Sequence, residues 1–272
     1  MVDNLEYNKD NIKYIVELQK TELSQSLKYA SYIQKALLPT ENALEFLLPE
    51  HILIYLPRDI VGGDFYWVSK KGNLVFIAIA DCTGHGVPGA FLSILGITFL
   101  HQIIDRYDCN SAANVLNVLR ESFMKSLNQT GSEKEQKDGI DMAFCILDRE
   151  TNILQYAGAF NPFYIIKNGN QLIEIAGNKM PIGIAADNEI SFTNHIVNLD
   201  KGDMIYLFTD GFVDQFGGPL GKKFKYRPFR NLFLNICKLP MEDQKTSLLK
   251  TLNDWKKELP QLDDILIFGF RY

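Results

Sequence analysis

The chain has 272 residues, 46% hydrophobic and 22% charged, with 33 acidic against 28 basic side chains and a net charge of −5. This composition excludes a disordered, collagen-like or purely coiled-coil chain, and the length can bury a sizeable core without disulfides. No apolar run reaches the ~20 residues of a membrane span, no basic-then-apolar leader opens the chain, and the acidic balance argues against nucleic acid as a partner. The expectation is a cytoplasmic protein with no membrane insertion.

Residues 8–38 read as one helix, with Ile12, Val16, Leu23, Leu27, Ala30, Ile33 and Leu37 at three-, four- and seven-residue spacing until Pro39. Two readings stand level: an amphipathic helix packed on its own domain, or a coiled coil or signalling linker, because the apolar stripe is narrow. From residue 50 the period changes. Short apolar runs at 51–56, 74–80, 143–147, 163–166, 172–175, 191–197, 204–208 and 265–270, bounded by Gly, Asn, Asp or Pro, predict strands. Helical patterns cover 88–107, which is apolar on nearly every face, 111–127 behind a Ser111 cap, and 241–258 behind Pro240. Strands and helices in separate runs give an α+β chain. Cys82, Cys109, Cys145 and Cys237 lie far apart without zinc-ligand spacing, so buried free thiols are expected.

The aspartates carry the chemical signal. Asp81 ends the run 74–80 and opens Cys82-Thr83-Gly84-His85-Gly86; Asp210 ends 204–209 and precedes Gly211. Asp263 and Asp264 precede the run 265–270, and Asp64 sits in Gly62-Gly63-Asp64-Phe65-Tyr66. Any one Asp-Gly pair is a common turn. Carboxylates at several strand tips can instead meet at one sheet edge, where their mutual repulsion is relieved by divalent cations. Oxygen-only ligation suits Mg²⁺ or Mn²⁺ rather than zinc.

In order, Gly62–Tyr66, Ala80–Gly86, Asp138-Gly139-Ile140-Asp141, Ala157-Gly158-Ala159-Phe160-Asn161-Pro162, Thr209-Asp210-Gly211 and Asp263-Asp264 resemble the motifs of the PPM (type 2C) serine/threonine phosphatases, specifically the bacterial SpoIIE/RsbU-like branch. Tyr32–Pro39 is similar to the helical linker before that catalytic domain. The resemblance implies a β-sandwich flanked by helices in α-β-β-α layers over residues 45–272, after an N-terminal helical segment at 1–44. It implies two Mn²⁺ or Mg²⁺ ions held by Asp64, Asp81, the Cys82 carbonyl, Asp210 and Asp263, with Asp214 and Asp264 behind them. A metal-bound hydroxide, and no side chain, would attack phosphoserine or phosphothreonine on a regulatory protein such as an anti-sigma-factor antagonist. Arg58 is a candidate for holding the substrate phosphate.

This sequence departs from the pattern in places. Thr83 stands where eukaryotic relatives have a proposed general-acid histidine, and His85 is expected to bond backbone instead. Ala159 replaces an acidic residue used for a third metal in some relatives, and Trp67 and Leu266 replace an Asp and a Thr. The stretch Gly221-Lys222-Lys223-Phe224-Lys225-Tyr226-Arg227 reads either as a docking lip for an acidic or phosphorylated partner or as a solvated loop. Two alternatives accompany the phosphoprotein reading: a catalytically silent signalling module of the same fold, and a phosphatase acting on a small phosphoester. A homodimer through the N-terminal helix is a further expectation.

Overall fold

The computed structural model describes residues 2–107, 109–130, 137–185 and 190–272, with side chains from residue 11 onward. Helices α1 (Val2–Leu37) and α2 (Glu41–Leu47) precede strands β1 (His51–Leu56), β2 (Phe65–Lys71) and β3 (Leu74–Cys82). Helices α3 (Gly86–Arg106) and α4 (Ala112–Ser126) follow. Next come β4 (Gly139–Asp148), β5 (Ile153–Ala159), β6 (Phe163–Lys167), β7 (Gln171–Ile175), β8 (Ile182–Gly183), β9 (His195–Asn198) and β10 (Met204–Phe208). The one-turn α5 (Gly211–Asp214), the hairpin β11 (Phe216–Gly217) and β12 (Lys222–Lys223), α6 (Tyr226–Ile236), α7 (Met241–Lys256) and β13 (Ile265–Arg271) complete the chain.

Two antiparallel sheets form a sandwich. One runs β1-β13-β10-β6-β7; the other runs β2-β3-β4-β5-β9, with β8 on β4. Period-two alternation assigns the faces. In β10, Ile205 and Leu207 enter the core between the sheets, while Met204, Tyr206 and Phe208 face Phe229, Phe233 and Leu248 of α6 and α7. β13 repeats this, with Leu266, Phe268 and Phe270 between the sheets and Ile265 and Ile267 toward the helices. Strands β3 and β4 are buried on both faces because α3 and α4 cover their outer side. The layers are therefore helix, sheet, sheet, helix, the arrangement expected above.

α3 is long and apolar enough by composition to cross a membrane. Its Leu92, Ile97, Leu100, Ile103 and Ile104 are instead buried in the core cluster with both sheets, which accounts for its hydropathy. The run 191–197 is a strand only from His195. The backbone N–H groups of Phe192 and Thr193 donate to the Asn117 and Asn178 side chains, so no ladder forms there. β2, β5 and α6 were not expected. In α6, Pro228 obscures a stripe of Phe229, Phe233 and Ile236. The four cysteines are buried thiols.

Candidate active site

Strand register creates the center of the site. β3 and β4 pair so that Asp81 stands directly opposite Asp141. Two carboxylates side by side on neighboring strands repel one another, and nothing basic separates them. Asp64 arrives just before β2, whose first residue Phe65 pairs Ala80, one residue from Asp81. From the other sheet, Asp210 follows β10 and Asp263 precedes β13, which pair antiparallel, so these tips lie at one end. The N–H of Thr209 bonds the Leu266 carbonyl at 3.0 Å and fixes that end.

The loop bearing Asp64 is held from behind by Asp264, which is buried. Its Oδ2 accepts from Gly63 N–H at 2.6 Å and Asp64 N–H at 3.3 Å, and its Oδ1 accepts from Arg58 N–H at 2.7 Å. A Cβ on Gly63 would stand 2.6 Å from the Gly84 carbonyl oxygen and 3.0 Å from that of Cys82, so only glycine lets this loop lie on the 82–84 loop. Gly211 does the same for Asp210, since its Cβ would meet the Asp264 carbonyl at 1.9 Å. From α1, the buried Gln34 side chain donates to the Gly62 carbonyl at 2.7 Å and to Ser93 Oγ at 2.8 Å, and accepts from Gly62 N–H at 3.3 Å. The last turns of α1 are thus bound to the Asp64 loop.

The electrostatics follow from burial. Asp64 is pushed well above the usual carboxylate range by burial and then by Asp81, with a hydrogen bond from Thr209 opposing the rise. Asp81 rises likewise through burial, then through Asp210, Asp263 and Asp141, with Asp64 opposing the rise. Burial and Asp210 raise Asp141 to about 7; burial, Asp214 and Asp263 raise Asp210 to about 6 against the pull of Lys223. Asp263 is raised by burial, while the Asp264 N–H, His85 and Arg58 hold it back. Among the described residues, none of Asp64, Asp81, Asp141, Asp210 or Asp263 has a basic ion-pair partner.

The other candidates are placed as follows. Asp214 pairs with Lys223 at 2.7 Å beside Asp210. The Arg58 guanidinium donates to the Leu262 carbonyl at 3.0 Å, next to Asp263. His85 bonds the Asp59 carboxylate at 3.1 Å rather than backbone. Thr83 is structural: its N–H and hydroxyl tie the 82–84 loop to Gly139. Asp141 and Thr209 were missed as site residues, although both lie inside the quoted motifs.

Hard oxygen donors with raised proton affinity and no cation fit a divalent metal better than any soft or nitrogen-rich site. Among the described residues, no three His, Cys, Asp or Glu side chains already close on a single point. No activated side-chain nucleophile stands among the carboxylates. The Cys82 thiol is buried and pushed far up by burial, and the Thr209 hydroxyl is spent on Asp64.

A profile of the Stage II sporulation protein E (SpoIIE) family matches residues 71–272. The solved SiaA-PP2C domain of Pseudomonas aeruginosa is 32% identical and superposes with a TM-score of 0.84, covering 93% of this chain and 98% of that one. The phosphoserine phosphatase RsbU of Bacillus subtilis (strain 168) is 26% identical over 201 residues, 71% of this chain and 55% of RsbU, so the chain spans about half the length of that relative. The PP2C phosphatase domain of the cell fate determinant SpoIIE from Bacillus subtilis, solved with a fragment of its regulatory domain, shares the fold at 17% identity and a TM-score of 0.62. It covers 82% of this chain and 63% of that one.

Proposed function

The chain belongs to the SpoIIE family, the SpoIIE/RsbU-like branch of the PPM phosphatases, and from that premise we propose that it is a metal-dependent phosphatase releasing phosphate from phosphoserine or phosphothreonine on a regulatory protein. One observation carries the reading: five aspartates from five separate segments lie toward one edge of the sandwich with raised proton affinity, and among the described residues none is in an ion pair.

Asp64, Asp81, the Cys82 carbonyl, Asp210 and Asp263 would hold two Mn²⁺ or Mg²⁺ ions, and we add Asp141 to that set because it stands opposite Asp81. When bound, the ions supply neutralization of phosphoryl charge and a lowered pKa for bound water. The chain's own residues do the rest. Asp264 and Gln34 hold the Asp64 loop, Thr209 keeps Asp64 oriented, and Thr83 fixes the turn after Asp81. Arg58, whose guanidinium bonds the Leu262 carbonyl, would contact the substrate phosphate. RsbU, similar to this chain, is a phosphoserine phosphatase, which supports the substrate class.

We divide the chain into a regulatory helical segment, 1–44, and a catalytic domain, 45–272, and propose that α1 pairs with a second copy. The exposed Ile12, Val16 and Leu23 on α1 support that pairing. The decisive experiment is phosphate release from a phosphoserine protein with Mn²⁺, in wild type, Asp81→Asn and Asp210→Asn. Release is expected only in the wild type, and activity persisting in EDTA overturns the reading. The same assay on small phosphoesters separates the alternative substrate class, and calorimetry without Mn²⁺ binding would favor a silent module.

A further inference from the structure

Beyond Asp210 the chain builds a small platform. In the hairpin β11–β12 the Gly218 N–H bonds the Trp255 carbonyl at 2.9 Å, Phe224 N–H bonds Gln215 at 3.1 Å, and Lys225 N–H bonds Val213 at 2.7 Å. Phe224 is buried, with its ring edge-on to Phe212 and Trp255 at 5.1 and 5.2 Å. The hairpin is therefore fixed on the fold rather than loose above it. What it displays is positive: Lys222, Lys223, Lys225 and Arg227 fall within six residues of a chain whose net charge is −5. Lys223 is engaged with Asp214. Lys222, Lys225 and Arg227 are exposed and, among the described residues, make no ion pair. Beside them stand Leu220, 76% exposed, and the partly exposed Phe216 and Tyr226. Basic side chains among exposed aromatic and aliphatic ones have the make-up of an interface rather than of an ordinary solvated loop.

Lys225 adds an independent sign. Its φ of 73° and ψ of 158° lie in a region that glycine occupies freely and other residues occupy at a cost. Lysine holds a position where glycine would be more stable, with its side chain in solvent.

The hairpin also borders the carboxylate cluster, since Lys223 and Tyr226 are both in electrostatic reach of Asp210. A protein substrate with its phosphoresidue at Asp210 would have this lip beside its flanking residues. An acidic flank is repelled on average by a chain of net charge −5 and is attracted at such a patch. We propose that Lys222, Lys225 and Arg227 dock an acidic protein segment flanking the phosphoresidue, a proposal that rests on the phosphatase reading above.

The test uses the full chain with Mn²⁺ and three substrates: a phosphoserine peptide with acidic flanks, the same peptide with neutral flanks, and p-nitrophenyl phosphate. The wild type should prefer the acidic peptide by about tenfold in kcat/KM, chiefly through KM, and lose that preference at high salt. The K222E/K225E/R227E variant should abolish the preference while keeping turnover of p-nitrophenyl phosphate. Lys225→Gly should raise the melting temperature by about 2–4 °C and still weaken acidic-peptide turnover about threefold. A wild type that turns over p-nitrophenyl phosphate but ignores flank charge overturns the docking proposal alone, as does a triple variant that keeps the preference. No turnover of any substrate by the metal-loaded wild type brings down the phosphatase reading and this proposal together.

Discussion

Thr209 donates its hydroxyl hydrogen to Asp64 Oδ2 at 2.6 Å, across 145 residues of sequence, while its oxygen accepts the Leu266 N–H at 3.0 Å. One side chain thus ties the central strand of one sheet to a candidate metal ligand beside the other. The bond stabilizes the ionized Asp64, the form a metal needs, against burial and Asp81.

Thr209→Val keeps the shape and removes both bonds. Asp64 then climbs further, so the pH needed for Mn²⁺ binding moves upward. We expect about a tenfold loss of Mn²⁺ affinity near neutral pH and about 1–2 kcal/mol of stability lost. Thr209→Ser should retain both properties. Calorimetric Mn²⁺ titrations at several pH values read the result, and superimposable pH profiles for Val and wild type would count against this role.

The metal-free protein should be more stable in mild acid than in mild base. Folding raises Asp141 to about 7 and Asp210 to about 6, against ordinary values of about 4 for an aspartate. A carboxyl with a raised folded pKa binds its proton more tightly in the native state. Its contribution is therefore complete below the unfolded pKa and is lost as pH rises through about 6 to 7. Added Mn²⁺ should reverse the slope, because it favors the ionized carboxylates. Melting curves from about pH 5 to about pH 8, with and without Mn²⁺, check both signs. A metal-free melting temperature that rises over that range contradicts the clustered-carboxylate account.

The same cluster shows what was legible beforehand. Asp81, Asp210 and Asp263 announced themselves by standing at the ends of apolar runs, and Asp64 by following Gly62-Gly63. Asp141 did not, because its significance lies in the β3–β4 register that sets it against Asp81. That register joins two strands of one sheet that α3 and α4 separate in sequence. Thr209 was hidden for a similar reason: a threonine at a strand end has no distinguishing pattern until its partner is known. Strand β2 was concealed by its own composition, since Phe65-Tyr66-Trp67-Val68 is buried throughout and shows no alternation. The stretch 191–194 misled in the opposite direction, as side-chain amides took the hydrogen bonds a ladder would have used.

Asp264 should matter more to folding than its neighbor Asp263. Its carboxylate accepts three backbone N–H groups, from Arg58, Gly63 and Asp64, inside the protein. In Asp264→Asn an amide group faces at least one of these donors and the negative charge is gone. Charge-assisted bonds at a buried site make the expected loss about 2–4 kcal/mol. Asp263→Asn removes a half-buried, repelled carboxylate and should cost little stability while abolishing metal-dependent turnover. Urea titration of the two variants separates them, and equal midpoints would refute the distinction.

The N-terminal helix supplies the last prediction. α1 has 36 residues, yet among its described side chains only Ser31 and Gln34, in the final turns, are buried, with Leu38 buried just after it. Residues 11–23 are exposed throughout, Ile12 at 60% and Leu23 at 62%. A helix without tertiary contacts is marginal in water, so this segment needs a partner for its apolar stripe. The stripe itself indicates which kind. Val16, Leu23, Ala30 and Leu37 recur every seven residues, with Ile12 and Ile33 between those rows, the spacing of a two-stranded coiled coil. Gln19 and Ser26 interrupt the second row and keep the pairing weak enough to be adjustable. Gln34 holds Gly62, so in a paired state a twist or separation of the helices would reach the loop that carries Asp64. Light scattering of the full chain should therefore give about twice the 31.0 kDa of one chain. Val16→Glu with Leu23→Glu should return it to a monomer while leaving the melting temperature of the catalytic domain unchanged. A monomeric wild type at concentrations well above those of the activity assay would refute the pairing.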